Sequence, residues 1–181
     1  MIKKILVTGA SGYIGSVLTP MLLAKGYRII ALDRFFFGDN LKKHKNLIKI
    51  YQDTRNLNYK IFKGVDAVID LAAISNDPSG EFFKKETQNI NFKARLKCAV
   101  LAKKSNVKRY ILPSSCSIYG FNKNIVDEDS KINPLTTYAK ANYLAEKHIL
   151  SLSSKNFCVT VLRQATIFGY SPRMRFDIAI N

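Results

Sequence analysis

The stretch LVTGASGYIG, residues 6–15, decides the fold of this 181-residue chain. It places three glycines, Gly9, Gly12 and Gly15, between a short apolar run and the start of a helical pattern. The first glycine permits a tight turn, the second lets the backbone approach a pyrophosphate, and the third lets the helix pack close to the strand. Because the N–H groups at the start of a helix lack partners within it, they bind anions. The stretch therefore predicts a strand–turn–helix unit that holds the phosphates of a dinucleotide.

An acidic residue follows at the place where such a unit needs one. Asp33 ends the second apolar run, where a carboxylate accepts hydrogen bonds from the ribose hydroxyls of an adenosine. The same charge repels a 2′-phosphate, so the sequence favours NAD, and NADP less. Arg34, the next residue, weakens that preference.

Short apolar runs recur along the rest of the chain. They are rich in β-branched and aromatic residues, and nearly all lack the alternating polarity of a strand with one wet face. They are therefore predicted to be strands buried on both faces, which is typical of a parallel sheet. The runs are residues 4–8, 27–33, 47–51, 67–72, 109–114 and 157–163.

Helical patterns lie between these runs. Ile14, Val17, Leu18, Met21 and Leu22 recur at helical spacing. A second apolar stripe follows within residues 90–102, and most charged residues of that segment, Arg95 among them, lie outside the stripe. Strand and helix in alternation predict right-handed βαβ units, and hence an α/β fold of the Rossmann type: a doubly wound parallel sheet in a three-layer αβα arrangement. The second stripe comprises Ile90, Ala94, Cys98, Leu101 and Ala102.

Composition excludes several other classes of protein. With 47% hydrophobic and 23% charged residues, the chain is ordinary globular material, and no apolar run approaches the roughly 18 residues of a membrane helix. Three widely spaced cysteines and two histidines argue against disulfides and against a metal site, and we expect a cytoplasmic protein. The net charge of +16 allows a nucleic-acid-binding module as an alternative interpretation. The lysines are scattered along the chain, however, so we expect no nucleic-acid partner.

Further motifs appear in order along the chain: YQDTRN at 51–56, DLAAIS at 70–75, SSCSIYG at 114–120 and PLTTYAKAN at 134–142. Together with GxxGxxG they resemble the extended short-chain dehydrogenases/reductases, specifically the NAD-dependent sugar-nucleotide epimerase/dehydratase family. The resemblance implies an adenine contact at Asp53 and a cofactor border at Ala72 and Ala73. The cofactor contacts predicted from motif and resemblance together are Gly9, Ser11, Gly12, Tyr13, Ile14, Gly15, Asp33, Asp53, Thr54, Leu71, Ala72, Ala73, Asn91 and Tyr138.

The resemblance also implies a chemistry. The residue matching Ser115 hydrogen-bonds the sugar hydroxyl that is oxidised, and the residue matching Tyr138 acts as general base while NAD accepts the hydride. The implied substrate is a UDP- or dTDP-sugar. Cys116 and Ser117 stand where dehydratase relatives carry an Asp-Glu pair, which disfavours a 4,6-dehydratase.

The chain departs from the family motif at one catalytic position. The motif YxxxK places a lysine one helical turn beyond the tyrosine, but this chain has Asn142 there. An unassisted tyrosine with a pKa near 10 is only about one-thousandth ionised at pH 7. Lys140 points away, about 200° around the helix from Tyr138, and Lys147 belongs to another face. We therefore expect either an impaired epimerase or, alternatively, a non-catalytic NAD-binding pseudoenzyme with a regulatory role.

A second departure is length. Relatives continue beyond the sixth strand into a smaller C-terminal domain that binds the nucleotide sugar. We expect residues 1–170 to form the NAD-binding domain, residues 171–181 to begin the connector, and the substrate domain to be missing. By resemblance we also expect a homodimer through helices within residues 91–105 and 138–152.

Overall fold

Six parallel strands form the centre of the protein in a computed structural model that describes residues 1–177. Their order is β3-β2-β1-β4-β5-β6, the order of a doubly wound sheet, which confirms the predicted Rossmann-type fold. Each predicted strand is present, with ends shifted by at most two residues. The strands are β1 (Lys4–Thr8), β2 (Arg28–Asp33), β3 (Leu47–Tyr51), β4 (Ala67–Asp70), β5 (Arg109–Ser115) and β6 (Cys158–Gln164).

Helices connect the strands and cover the sheet. Within residues 1–177 the α-helices are α1 (Gly15–Ala24), α2 (Asp77–Phe82), α3 (Lys84–Thr87), α4 (Arg95–Lys104) and α5 (Thr137–Leu150). A π-helical segment, Gln88–Ala94, leads directly into α4, so the second predicted helix is present with an irregular first part. Short 3-10 turns occupy Thr54–Asn56, Tyr59–Phe62 and Cys116–Tyr119. None of the helices in this part of the chain is both long and apolar enough to cross a bilayer.

Two hydrophobic cores lie on opposite faces of the sheet and establish the three layers. On one face, Leu6 and Leu112 pack with Cys98 of α4 and Ile149 of α5. On the other face, strand residues including Ile5 and Val7 pack with Leu23 of α1. Because both faces are covered, the middle residues of the central strands are apolar, as expected for a parallel sheet.

Only part of the predicted apolar stripe of α1 faces the sheet, because Leu22 packs against the core but Val17 and Met21 do not. Val17 is 38% and Met21 57% exposed, whereas Gly15, Thr19 and Leu23 are buried. The glycine turn is the physical reason, because it holds Gly15 so close to the end of β1 that the helix face bearing residues 15, 19 and 23 must lie inward. In the second stripe Ala94, Cys98 and Ala102 are buried as predicted.

The prediction that all strands are buried on both faces is wrong at the two edges. In β3, Ile48 is 58% and Tyr51 65% exposed, and in β6 Leu162 is 44% exposed. An edge strand has a neighbouring strand on one side only. The helix α1 contacts β1 and β2, and α5 contacts β5 and part of β6, so the remaining surface of the two edge strands stays open to solvent.

Candidate functional site

A cleft of about 700 Å³ opens at the carboxyl ends of the strands, where the strand order reverses between β1 and β4. The connections after these two strands leave in opposite directions, and this divergence creates the crevice. Most of the predicted site residues line it. They are Gly9, Gly12, Tyr13, Ile14, Gly15, Asp33, Asp53, Thr54, Leu71, Ala72, Ala73, Ser115 and Tyr138.

The glycine turn forms the floor of the cleft. Gly9 has a φ of +63°, and a Cβ there would lie 2.8 Å from the backbone nitrogen of Ala72. A Cβ on Gly15 would lie 2.7 Å from the carbonyl carbon of Ala10. No acceptor among residues 1–177 receives the backbone N–H groups of Ile14 and Gly15. The turn is thus a backbone cradle with free donors, which fits the phosphates of a dinucleotide.

Asp33 links the end of β2 to this turn. Its carboxylate accepts hydrogen bonds from the backbone nitrogens of Ser11 at 2.9 Å and Phe35 at 2.8 Å. Ser11 is buried and does not line the cleft; its hydroxyl donates to the carbonyl oxygen of Gly38 and accepts from the backbone nitrogen of Asn40. Ser11 therefore organises the loop after β2, while Asp33 lines the cleft.

Asp53 is held as an anion by two arginines. The guanidinium of Arg55 donates two hydrogen bonds to its carboxylate at 2.7 and 2.9 Å, and Arg34 lies 3.6 Å away. The hydrogen bond from the Arg55 side chain is the main reason that the pKa of Asp53 lies below its usual value. A charged carboxylate therefore lines the cleft beyond the end of β3.

Asn91 is fully buried and lies away from the cleft. Its side-chain oxygen accepts from the backbone nitrogen of Ile74 at 2.9 Å, and its side-chain nitrogen donates to the Ile74 carbonyl at 2.8 Å. This pair of bonds fixes the segment after β4, whose residues Ala72 and Ala73 line the cleft. Asn91 shapes the cleft wall from behind.

Ser115 and Tyr138 both line the cleft, one at the end of β5 and the other in the first turn of α5. The Ser115 hydroxyl oxygen accepts two hydrogen bonds from Ser117, one from its backbone nitrogen at 3.2 Å and one from the Ser117 hydroxyl at 2.9 Å. Because Ser115 accepts both bonds, its own hydroxyl proton stays free to be donated to a ligand.

The N-terminus of α5 is fixed by α2. Thr136 caps α5 by accepting from the backbone nitrogen of Ala139 at 3.1 Å, and its hydroxyl donates to Asp77. Glu81 accepts from the backbone nitrogen of Thr137 at 2.6 Å, and this hydrogen bond is the main cause that lowers the pKa of Glu81 to about 2. These bonds hold the turn that carries Tyr138.

Asn142 is only 2% exposed and does not line the cleft. Its side-chain nitrogen donates to the carbonyl oxygen of Tyr138 at 3.0 Å, and its side-chain oxygen accepts from Arg95 at 2.7 Å. Arg95 does line the cleft, although the sequence motifs did not predict it. Its spacing offered a signal, because a residue four positions after Asn91 lies on the same helical face.

The start of the predicted connector also contributes residues to the cleft. Arg173 stacks on the ring of Phe37 at 3.8 Å. Arg175 pairs with Asp177 at 2.6 Å and holds the pKa of that carboxyl far below its ordinary value. All four of these side chains line the cleft. The rest of the predicted connector, residues 178–181, lies outside the described residues.

The family is settled by comparison of the whole sequence. The profile of the NAD dependent epimerase/dehydratase family matches residues 5–179. The chain belongs to the NAD-dependent epimerase/dehydratase family. Among its curated relatives is an uncharacterized UDP-glucose epimerase of Bacillus subtilis (strain 168), YtcB; the two are 32% identical over 98% of this chain and 60% of the relative.

Solved structures of this epimerase/dehydratase family have the same architecture. UDP-glucuronic acid 4-epimerase from Bacillus cereus, in complex with UDP-glucuronic acid and NAD, superposes with a TM-score of 0.88 at 27% identity, over 97% of this chain and 60% of that one. UDP-N-acetylglucosamine 4-epimerase from Methanobrevibacter ruminantium M1 gives a TM-score of 0.84 at 29% identity, over 90% and 54%. The chain thus spans 60% or less of the length of these relatives.

Proposed function

We propose that this chain is the NAD-binding portion of a nucleotide-sugar epimerase. The observation that carries the proposal is the glycine turn, whose free N–H groups at Ile14 and Gly15 face a cleft at the strand-order reversal. The UDP-sugar epimerases among the relatives support a UDP-sugar as the substrate, and a dTDP-sugar is the alternative within the same class. Bound NAD would supply the hydride acceptor and donor for a sugar carbon.

Two side chains of the cleft serve the proton chemistry of this proposal. Ser115 donates its free hydroxyl proton to the sugar oxygen and orients it. Tyr138 takes the proton from that oxygen when the carbon is oxidised and returns it when the carbon is reduced. Both line the same cleft as the glycine turn, so a sugar and a dinucleotide can meet there.

Asp33 favours NAD over NADP in this proposal. Its carboxylate lines the cleft at the end of β2, where the adenosine ribose of a dinucleotide lies in this fold. Arg34 is directed to Asp53, 3.6 Å away, so part of its charge is already matched. A 2′-phosphate would therefore be repelled by the carboxylate of Asp33, whereas the Arg34 guanidinium that would attract it is partly matched by Asp53.

Calorimetric titration with NAD and NADP tests the function. We expect the natural chain to bind NAD at least about tenfold more tightly than NADP. Asp33→Ser should reduce this ratio of NAD to NADP affinity, because it removes the charge that repels the 2′-phosphate. Asp39→Ser is the matched control. This change also removes one negative charge, but Asp39 pairs with Lys49 outside the cleft. If the chain binds neither dinucleotide at millimolar concentration, the proposal is wrong.

A non-catalytic NAD-binding protein with a regulatory role is the second candidate. It is favoured by one observation: no lysine of residues 1–177 lines the cleft. Mixing the NAD complex with UDP-sugars and following NADH absorbance distinguishes the two. Transient NADH supports the epimerase, whereas tight NAD binding without NADH for any UDP- or dTDP-sugar supports the second candidate.

We further propose a cytoplasmic homodimer. The three cysteines are free, which suits a reducing compartment. The helices α4 and α5 lie side by side on one face of the sheet, which is the arrangement that the family resemblance assigns to the dimer contact. Sedimentation velocity gives the assembly state; a monomer at all concentrations would contradict the dimer.

A further inference from the structure

Arg95 is a buried cation in the wall of the cleft. It is the first residue of α4 and only 4% exposed. Its Nε donates to the carbonyl oxygen of Ala72 at 3.2 Å, and its Nη1 donates to the side-chain oxygen of Asn142 at 2.7 Å. Within residues 1–177 its third nitrogen, Nη2, has no acceptor. A charged donor is therefore left over at the surface of the cleft.

No carboxylate in the described part of the chain pairs with this guanidinium. Asp70 is the acidic group that senses its charge, but the Asp70 carboxylate accepts hydrogen bonds from Thr8 and Tyr110. Burial raises the pKa of Asp70, which makes it a poor counter-charge. Burying an unmatched cation is costly, so the position is expected to be completed by a ligand.

Asn142 is the neutral partner that this cation needs. It occupies the position of the family lysine, one turn after Tyr138, and it offers its oxygen to Arg95. A lysine at position 142 would bring a second positive charge against the guanidinium, and two like charges out of water repel each other strongly. A neutral residue at position 142 is therefore compatible with the buried charge of Arg95, whereas a lysine there is not.

We propose that Arg95, held by Asn142, is the cation that contacts the bound coenzyme beside Tyr138. It takes the part that the family motif gives to a lysine at position 142, with Nη2 donating to the ribose hydroxyls on the nicotinamide side. This inference rests on the proposed NAD function. It makes the cleft competent to hold NAD without a lysine in the tyrosine motif.

The test exchanges the cation between the two helices and measures NAD affinity by calorimetry. We expect Arg95→Met to weaken NAD binding about tenfold or more. In the natural background, Asn142→Lys lowers the thermal midpoint and does not strengthen NAD binding. In the Arg95→Met background, the same Asn142→Lys change restores NAD affinity to within about threefold, because a single cation is again present. A purely structural arginine would not be replaced by a lysine on the opposite helix.

Lys93→Met is the matched control, because it removes one exposed positive charge from the segment next to α4 and should leave NAD affinity unchanged. The inference is overturned if Arg95→Met binds NAD within about twofold of the natural chain, or if Asn142→Lys alone raises both affinity and thermal midpoint. If Arg95→Met does not fold, the comparison of the double variant with Asn142→Lys alone gives the answer. Failure of the natural chain to bind NAD would instead overturn the proposed function.

Discussion

At the scale of single residues, the glycines of the turn meet steric demands that no other residue can meet. Gly9 combines a φ of +63° with backbone atoms of Leu71 and Ala72 within 3.0 Å of where a Cβ would stand. Gly64 has a similar φ of +68° but nothing within 4 Å of that point. An alanine at position 64 would therefore meet backbone strain alone, whereas an alanine at position 9 would meet both backbone strain and steric overlap.

Gly9→Ala should lower stability and abolish NAD binding, whereas Gly64→Ala should lower stability alone. A left-handed alanine costs about 1 to 2 kcal/mol in either place, and the overlap with the β4 connection adds to it only at position 9. Urea unfolding and NAD titration of both variants check this. Equal losses of stability, or retained NAD binding in Gly9→Ala, would contradict the steric argument.

At the scale of secondary-structure elements, α2 supports the first turn of α5, which carries Tyr138. The two helices are joined through the bonds from Thr136 to Asp77 and from Thr137 to Glu81. Gly80 lets them approach, since a Cβ there would lie 2.9 Å from the Cβ of Tyr138. The short helix α2 thus fixes the position of Tyr138 in the wall of the cleft.

Gly80→Ala should therefore destabilise the protein by about 1 to 3 kcal/mol, the range for overpacking a filled contact. In an open helix the same change would be stabilising by about 1 kcal/mol, so the sign of the effect is informative. The measurement is urea unfolding, with Ser79→Ala on the same helix as the control. NAD affinity should also fall in Gly80→Ala, because Tyr138 is displaced. A stabilised Gly80→Ala variant would show that α2 does not press on α5.

At the scale of the whole molecule, the net charge of +16 acts on every part of the fold. The described surface pairs some of this charge, as between Lys49 and Asp39, but leaves exposed lysines such as Lys42, Lys43 and Lys45 together on one loop. Like charges repel, and the repulsion acts over about 30 Å at 10 mM salt but only about 8 Å at 150 mM. The compact state is therefore strained at low ionic strength.

Stability should rise when NaCl is increased from about 10 to about 150 mM, because screening weakens the self-repulsion. Urea unfolding at the two salt concentrations measures the effect. Replacing Lys42, Lys43 and Lys45 by Glu should reduce the response, since each change moves the net charge by two. A stability that falls with salt, or an identical response in the triple variant, would rule out global repulsion as the cause.

Sequence patterning predicted the sheet well because its signals are local. The apolar runs marked all six strands, and the glycine spacing placed the cleft at the correct end of β1. The exposed face of α1 was not predictable in this way, since Val17 and Met21 show helical spacing whichever side they face. Which face turns inward depended on the contact between Gly15 and Ala10, a constraint that hydrophobic periodicity does not contain.

The sequence by itself determined the positions of the strands, the glycine turn and the lack of a lysine at position 142, because each depends on residues close together along the chain. Only the tertiary structure decided what stands in for that lysine. Arg95 and Asn142 are 47 positions apart and meet only because α4 and α5 pack side by side on the sheet. A charge on a helix faces solvent or the interior according to its distant neighbours, and for Arg95 that neighbour is an uncharged amide.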